Sequence, residues 1–179
     1  MKKQIEETLQ CLIGQSFWGS GRVANLLTFQ FGPRQVRTDH HGKSHQVGTY
    51  ALHVQCAWRL TKAQRILAAS GDLGWEPKEV NEETRNYEGE GYSWPKNNRG
   101  TRLDEQLVSF FRQCEQTPLF VQAIQADDLG GLTIELSSQH LLTVFPDDSF
   151  DEEYWRFFQV GVNLPHFVVI GQGIDDQEE

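Results

Sequence analysis

His53, Gln55 and Arg59 are the residues of this chain best spaced to do chemistry together. They sit in the segment 50–59, YALHVQCAWR, where apolar and polar residues alternate. A β-strand turns successive side chains to opposite faces. Tyr50, Leu52, Val54, Cys56 and Trp58 then form a core face, and Ala51, His53, Gln55, Ala57 and Arg59 an outer one. A held guanidinium beside an imidazole suits an anion or a carboxylate. Arg99, Arg102 and Asp104 follow an aromatic-rich loop that can carry them toward that face. These six residues are the candidate binding set; the competing reading is a polar sheet face washed by solvent.

Sharper motifs fail on context. GSGRVA at 19–24 fits the glycine pattern of a dinucleotide site, but that pattern needs a strand before it and a helix after it. Here a helix precedes and a strand follows, so the glycines read as a turn. Gly42-Lys43-Ser44 resembles the end of a phosphate loop, yet Arg37 stands where its first glycine is required. His40, His41 and His45 beside Asp39 are the metal candidate. A polar loop is a poor preorganised site, and a solvated loop is the favoured reading. There is no GxSxG elbow and no HExxH helix. Cys56 falls on the core face of its strand, which suits packing better than nucleophilic attack. Acid pairs such as Asp127-Asp128 and Asp147-Asp148 sit at turns, where carboxylates are expected for local reasons. No pattern asks for a cofactor, and the balance leans away from an enzyme.

The elements that must position these residues follow from periodicity. Ile5, Leu9, Leu12 and Ile13 repeat at helical spacing, with Gly14 as a stop. Strands are expected at 23–31, 50–59 and 65–69, with 32–46 as a long hairpin connection or loop. Residues 71–102 combine glycines, charges and four aromatic residues, as a pinned loop or a lid would. A helix over 103–114 carries an apolar stripe of Leu103, Leu107, Phe110 and Cys114. Strands follow at 119–126, 132–136 and 141–145. Ser149 and Glu152 read as a capping box opening a short helix, and a last strand covers 167–170. The fold class is α+β with mainly antiparallel sheet, because short turns cannot join parallel strands. It reads as two helix-plus-three-strand-meander halves and a C-terminal helix and strand, in one domain spanning 1–173. The halves would be a pseudo-repeat, 1–70 and 103–173, joined by the glycine- and aromatic-rich segment; 174–179 is an acidic tail.

The chain has 179 residues and a net charge of −9. An acidic chain is a poor ligand for a nucleic-acid backbone or an anionic membrane. It suits a basic protein partner. Three cysteines in apolar settings without a CxxC pair read as buried thiols of a reducing cytosol, and no apolar run reaches the length of a membrane span. The expected compartment is the cytoplasm. The segments LIGQSFWGSGRVANLLTFQFG, GTYALHVQCAWRL, FPDDSFDEEYWRFF and PHFVVIGQGI together resemble a family of small bacterial proteins of unknown function. That resemblance implies a bacterial, cytoplasmic, single-domain protein and brings no catalytic residue with it. The functional expectation is a non-catalytic interaction module, immunity-like or regulatory, with the acidic residues around 147–153 as its contact surface. The alternative is a small-molecule or anion-binding protein or enzyme, with its pocket over His53, Gln55 and Arg59.

Overall fold

Short alternations of apolar and polar residues, separated by turn residues, recur along the chain, and most become strands. In the computed structural model, which describes residues 1–38, 42, 44–78 and 100–175, helix α1 (Lys2–Leu9) precedes seven strands. These are β1 (Ser16–Val23), β2 (Leu26–Phe31), β3 (Gln35–Thr38), β4 (Ser44–Val47), β5 (Tyr50–Val54), β6 (Ala57–Lys62) and β7 (Arg65–Ala69). Helix α2 (Arg102–Gln116) precedes β8 (Leu119–Ala126), β9 (Leu132–Leu136), β10 (His140–Phe145), β11 (Glu153–Gln159), β12 (Phe167–Ile170) and the short β13 (Gly173–Ile174). Among the described residues the class is α+β: mostly antiparallel sheet with two α-helices, in a single compact domain.

Eleven strands form one sheet in the order β13-β12-β11-β5-β2-β1-β8-β9-β10-β6-β7, and β3-β4 form a separate hairpin. Every pairing is antiparallel. β5 and β6 are one stretch of chain, bent at Gln55 and Cys56, where both N–H groups donate to the Tyr154 carbonyl. The ladder β5-β2-β1-β8-β9-β10-β6 therefore returns to the strand it started from, and the wall closes as a barrel does. One apolar cluster fills it, with Phe17, Phe29, Leu52, Trp58, Ile134 and Leu142 among its members. α1 packs on β8, and α2 packs on β1 and β7.

Five expectations are corrected. Cys56 and Cys114 are buried, but Cys11 is exposed, because Leu12 takes the inward place in the turn Gln10–Leu12. The strand read at 23–31 is β2 over Leu26–Phe31 only; Val23 ends β1, and Ala24-Asn25 is the turn between them, with Ala24 at φ 55°. The glycines of GSGRVA lie inside β1 and make no turn; a Cβ on Gly19 would meet only Gln30 side-chain atoms, at ordinary contact distance. The polar stretch after β2 folds into the β3–β4 hairpin, whose rungs run from Gln35↔Val47 to Thr38↔Ser44. The short helix after Ser149 is instead strand β11. Its aromatic side chains find cross-strand partners on β5 and β12, and such pairing outweighs a two-residue capping signal. The alternation of 50–59 survives the bend: Leu52, Val54, Cys56 and Trp58 are buried and Gln55 and Arg59 exposed, though Ala51 is buried with them and Tyr50 only partly covered. Among the described residues no helix is long and apolar enough to cross a membrane.

Candidate functional site

The residues singled out from sequence divide among three places. His53 is half-buried on the outer side of β5, flanked in register by Thr28 of β2 and Arg156 of β11. Its ring meets Phe158 edge-on at 4.8 Å, and the opposite neighbour of Phe158 is His166, stacked at 4.0 Å. Arg156 pairs with Glu153 through two hydrogen bonds, one of them Nε to Oε1 at 2.7 Å. Arg59 lies beyond the bend, on β6, with its guanidinium 5.8 Å from the Phe145 ring. Gln55 is at the bend itself. Arg102 lies on the first turn of α2, 3.5 Å from Asp72, and Asp104 is buried. Arg99, His40 and His41 lie outside the described residues. His45 is exposed on β4, in register with Arg37. Among the described residues no group of three metal-ligating side chains comes together.

The cluster around His53 has its own electrostatics. Burial lowers the His53 pKa to about 4, with the Arg156 charge adding to the effect and Glu153 opposing it. His166 is lowered for the same reasons. Burial pushes the Glu153 carboxyl up, but the hydrogen bond and charge of Arg156 outweigh it, with Gln55 and His53 helping. Two neutral imidazoles, a phenyl ring and a neutralised Arg–Glu pair thus cover this face at pH 7. The consequence for stability is testable. The unfolded His53 titrates near 6.5, so from there down to about 4 only the unfolded chain gains its proton. Stability should fall by about 3 kcal/mol across that window and stay flat above it. His53→Phe should flatten the slope, read as Tm against pH from 7.5 to 4.5.

Arg22 is the residue that sequence reasoning missed. It is 3 % exposed on β1, with Nε and Nη2 donating to the two Asp104 carboxylate oxygens at 2.9 and 2.8 Å. Nη1 donates to the Ala24 carbonyl. Asp104 also completes the α2 capping box: its Oδ2 accepts from Thr101 N and Oγ1, while Thr101 Oγ1 accepts from Asp104 N. The signal was present only as an arginine inside a glycine-rich strand with no acid in its own hairpin; its partner is 82 residues away. Above this pair opens a cleft of about 530 Å³ lined by Arg22, Asn25, Ser70 and Leu73. It adjoins a second hollow of about 300 Å³ where Gln55, Cys56, Asp147 and Asp148 appear. Burial pushes the Cys56 thiol up to about 12, so it stands there as a thiol and not as a nucleophile.

The connection between β10 and β11 forms the third place. Asp147, Asp148, Asp151 and Glu152 are exposed around Phe150, itself 67 % exposed. The turn is tied down throughout. Asp147 Oδ1 accepts from Ala57 N, and Asp148 Oδ1 from Phe150 N. Tyr154 Oη donates to the Asp148 carbonyl at 3.0 Å, and Gln172 Nε2 to Asp151 Oδ2 at 2.7 Å. Comparison with protein-family models, curated proteins and solved structures found no match for this chain.

Proposed function

We propose that this is a non-catalytic interaction module of the bacterial cytoplasm that engages a basic protein partner through the acidic turn between β10 and β11. The observation that carries this reading is Phe150: a large apolar side chain, 67 % exposed, flanked in sequence by four exposed carboxylates on a hydrogen-bonded turn. An aromatic anchor inside a polar rim is the usual anatomy of a binding hot spot. The acidic rim steers a cationic partner, and the fixed turn lowers the ordering cost of binding. The test is affinity capture from the native cells at physiological salt, with wild-type, Phe150→Ala and Asp148→Lys/Asp151→Lys baits. A basic protein retained by the wild type and lost about tenfold or more by both variants is the expected result. Equal retention by all three baits would remove the turn from consideration.

A second reading, small-molecule or anion binding, is supported by the cleft above Arg22 and its adjoining hollow. Of the three residues His53, Gln55 and Arg59, Gln55 lines that hollow. The finer architecture is likewise a proposal: 1–70 and 103–173 as two halves built on one plan. The strand order supports it. Exchange of β1, β2, β5, β6, β7 with β8, β9, β10, β11, β12 turns the order from β12 to β7 into its own reverse.

A further inference from the structure

We infer that the two halves are copies of one unit, equivalent residue by residue, and that the copies exchange strands so that neither closes its wall alone. This rests on the two-halves reading and adds to it a register and a crossing. In the first half Phe17↔Phe31 is followed, across a bulge, by Gly19↔Gln30 and then Arg22↔Leu27. In the second, Val121↔Leu136 is followed, across a bulge, by Ala123↔Glu135 and then Ala126↔Leu132. The next ladder matches as well: Leu27↔Val54 through Phe31↔Tyr50 corresponds to Leu132↔Val144 through Leu136↔His140. A bulge at one site can arise by accident, but two ladders in matching register with the bulge at the equivalent rung need a common plan.

The crossing appears in the next strands. β6 of the first half pairs with β10 of the second, and β11 of the second pairs with β5 of the first. Trp58↔Val144, Arg59↔Thr143 and Leu60↔Leu142 correspond to Trp155↔Val54, Arg156↔His53 and Phe157↔Leu52. The dipeptide Trp-Arg stands at the equivalent place in both halves. The helices cross too. Ile5-Glu6-Glu7-Thr8-Leu9 of α1 matches Leu103-Asp104-Glu105-Gln106-Leu107 of α2. Glu6 accepts from the N–H of Ala126, and Asp104 from the side chain of Arg22, which is the position equivalent to Ala126. Each helix carboxylate therefore anchors the same rung of the other half. The pseudo-two-fold passes through Ser16↔Phe120, where two equivalent residues pair with each other.

The frame also shows where the copies diverge. Phe31 and Tyr50 enclose the β3–β4 hairpin, whereas Leu136 and His140 enclose only Ser-Ser-Gln. Val54 and Ala57 enclose Gln55-Cys56, whereas Phe145 and Glu153 enclose the acidic turn with Phe150. The proposed contact surface is thus an addition to one copy of the unit.

Two full-fold variants test this. In the graft, residues 32–49 are replaced by Ser-Ser-Gln, the turn of the second half. In the permutant, the chain is opened between Glu88 and Gly89, and its old ends are joined by a short flexible linker. Met1 and the last described strand lie close together, since Val169, the partner of Ile174, and Met1 both lie within 4 Å of a Cβ built on Gly130. Both variants should keep the wild-type near-UV circular dichroism and a Tm within about 5 °C of it. A graft that loses cooperative unfolding overturns the residue equivalence, and with it the two-halves reading. A permutant that does so, beside a native graft, overturns the strand exchange alone. If the graft cannot be made soluble, a shorter one replaces it, in which residues 36–46 are exchanged for Ser-Ser-Gln so that Gly32 and Gly48 stay in place. A native spectrum supports the equivalence, and its loss overturns it.

Discussion

Asp104→Ala should lower folding stability by about 4 kcal/mol, read as a lower urea midpoint at unchanged m. Two losses combine at this one side chain. Arg22 stays inside, 3 % exposed, and loses the carboxylate that Nε and Nη2 grip at two points. Removing one partner of a buried ion pair is among the most destabilising single changes a core can suffer. The capping box of α2 also opens, because Thr101 N and Oγ1 lose the oxygen they share. Arg22→Met should be milder. It leaves Asp104 with both Thr101 donors and keeps an aliphatic stem in the space of the guanidinium. The Arg22→Met/Asp104→Ala double variant closes the cycle and should show a coupling of about 1.5 kcal/mol or more. A coupling near zero would mean that the two groups do not act as a unit.

The other large effect is expected at Phe17. Phe17→Ala should cost about 4 kcal/mol, with loss of near-UV ellipticity as α2 loosens from the wall. The ring is 1 % exposed and touches four others: Phe31 at 5.1 Å, Phe111 at 5.2 Å, Phe29 at 5.7 Å and Phe110 at 6.2 Å. Two of those rings belong to β2 and two to α2. Truncation therefore leaves a void at the joint between helix and sheet, where neither side can collapse without giving up its own contacts. Phe17→Leu, which fills most of the volume, should recover more than half of the loss. Equal effects of leucine and alanine would show that ring geometry, and not volume, is what the joint requires.

How much of this was readable beforehand depends on the range of the cause. The helix over Arg102–Gln116 was legible because its stripe is local and periodic. The buried set Leu52, Val54, Cys56 and Trp58 was legible too. The bend at Gln55 and Cys56 turns the strand without disturbing its alternation. β1 was hidden, since Trp18-Gly19-Ser20-Gly21 offers no alternation, and its pairing comes from β2 and β8. β11 was misread because a capping box is a two-residue cue, whereas one of its two partner strands, β5, lies about a hundred residues earlier. The Arg22–Asp104 pair joins positions 82 apart, and nothing near Arg22 announces the acid. The likeness of IEETL to LDEQL, or of WR to WR, is too short to notice until matching register gives it a place.

The crossing of strands between the halves bears on how the chain is made. β6 finds its second partner in β10, and α1 finds its seat on β8, so neither is fully packed until the second half exists. A nascent chain that ends before β8 exposes the edges of β1 and β5 and the apolar face of α1 to whatever is nearby. Such long-range closure slows folding and lengthens the time that sticky edges stay open. Synthesis of this protein is therefore a race between translation of the second half and aggregation of the first, and slowing the ribosome after residue 78 should lower the soluble yield without changing the finished molecule.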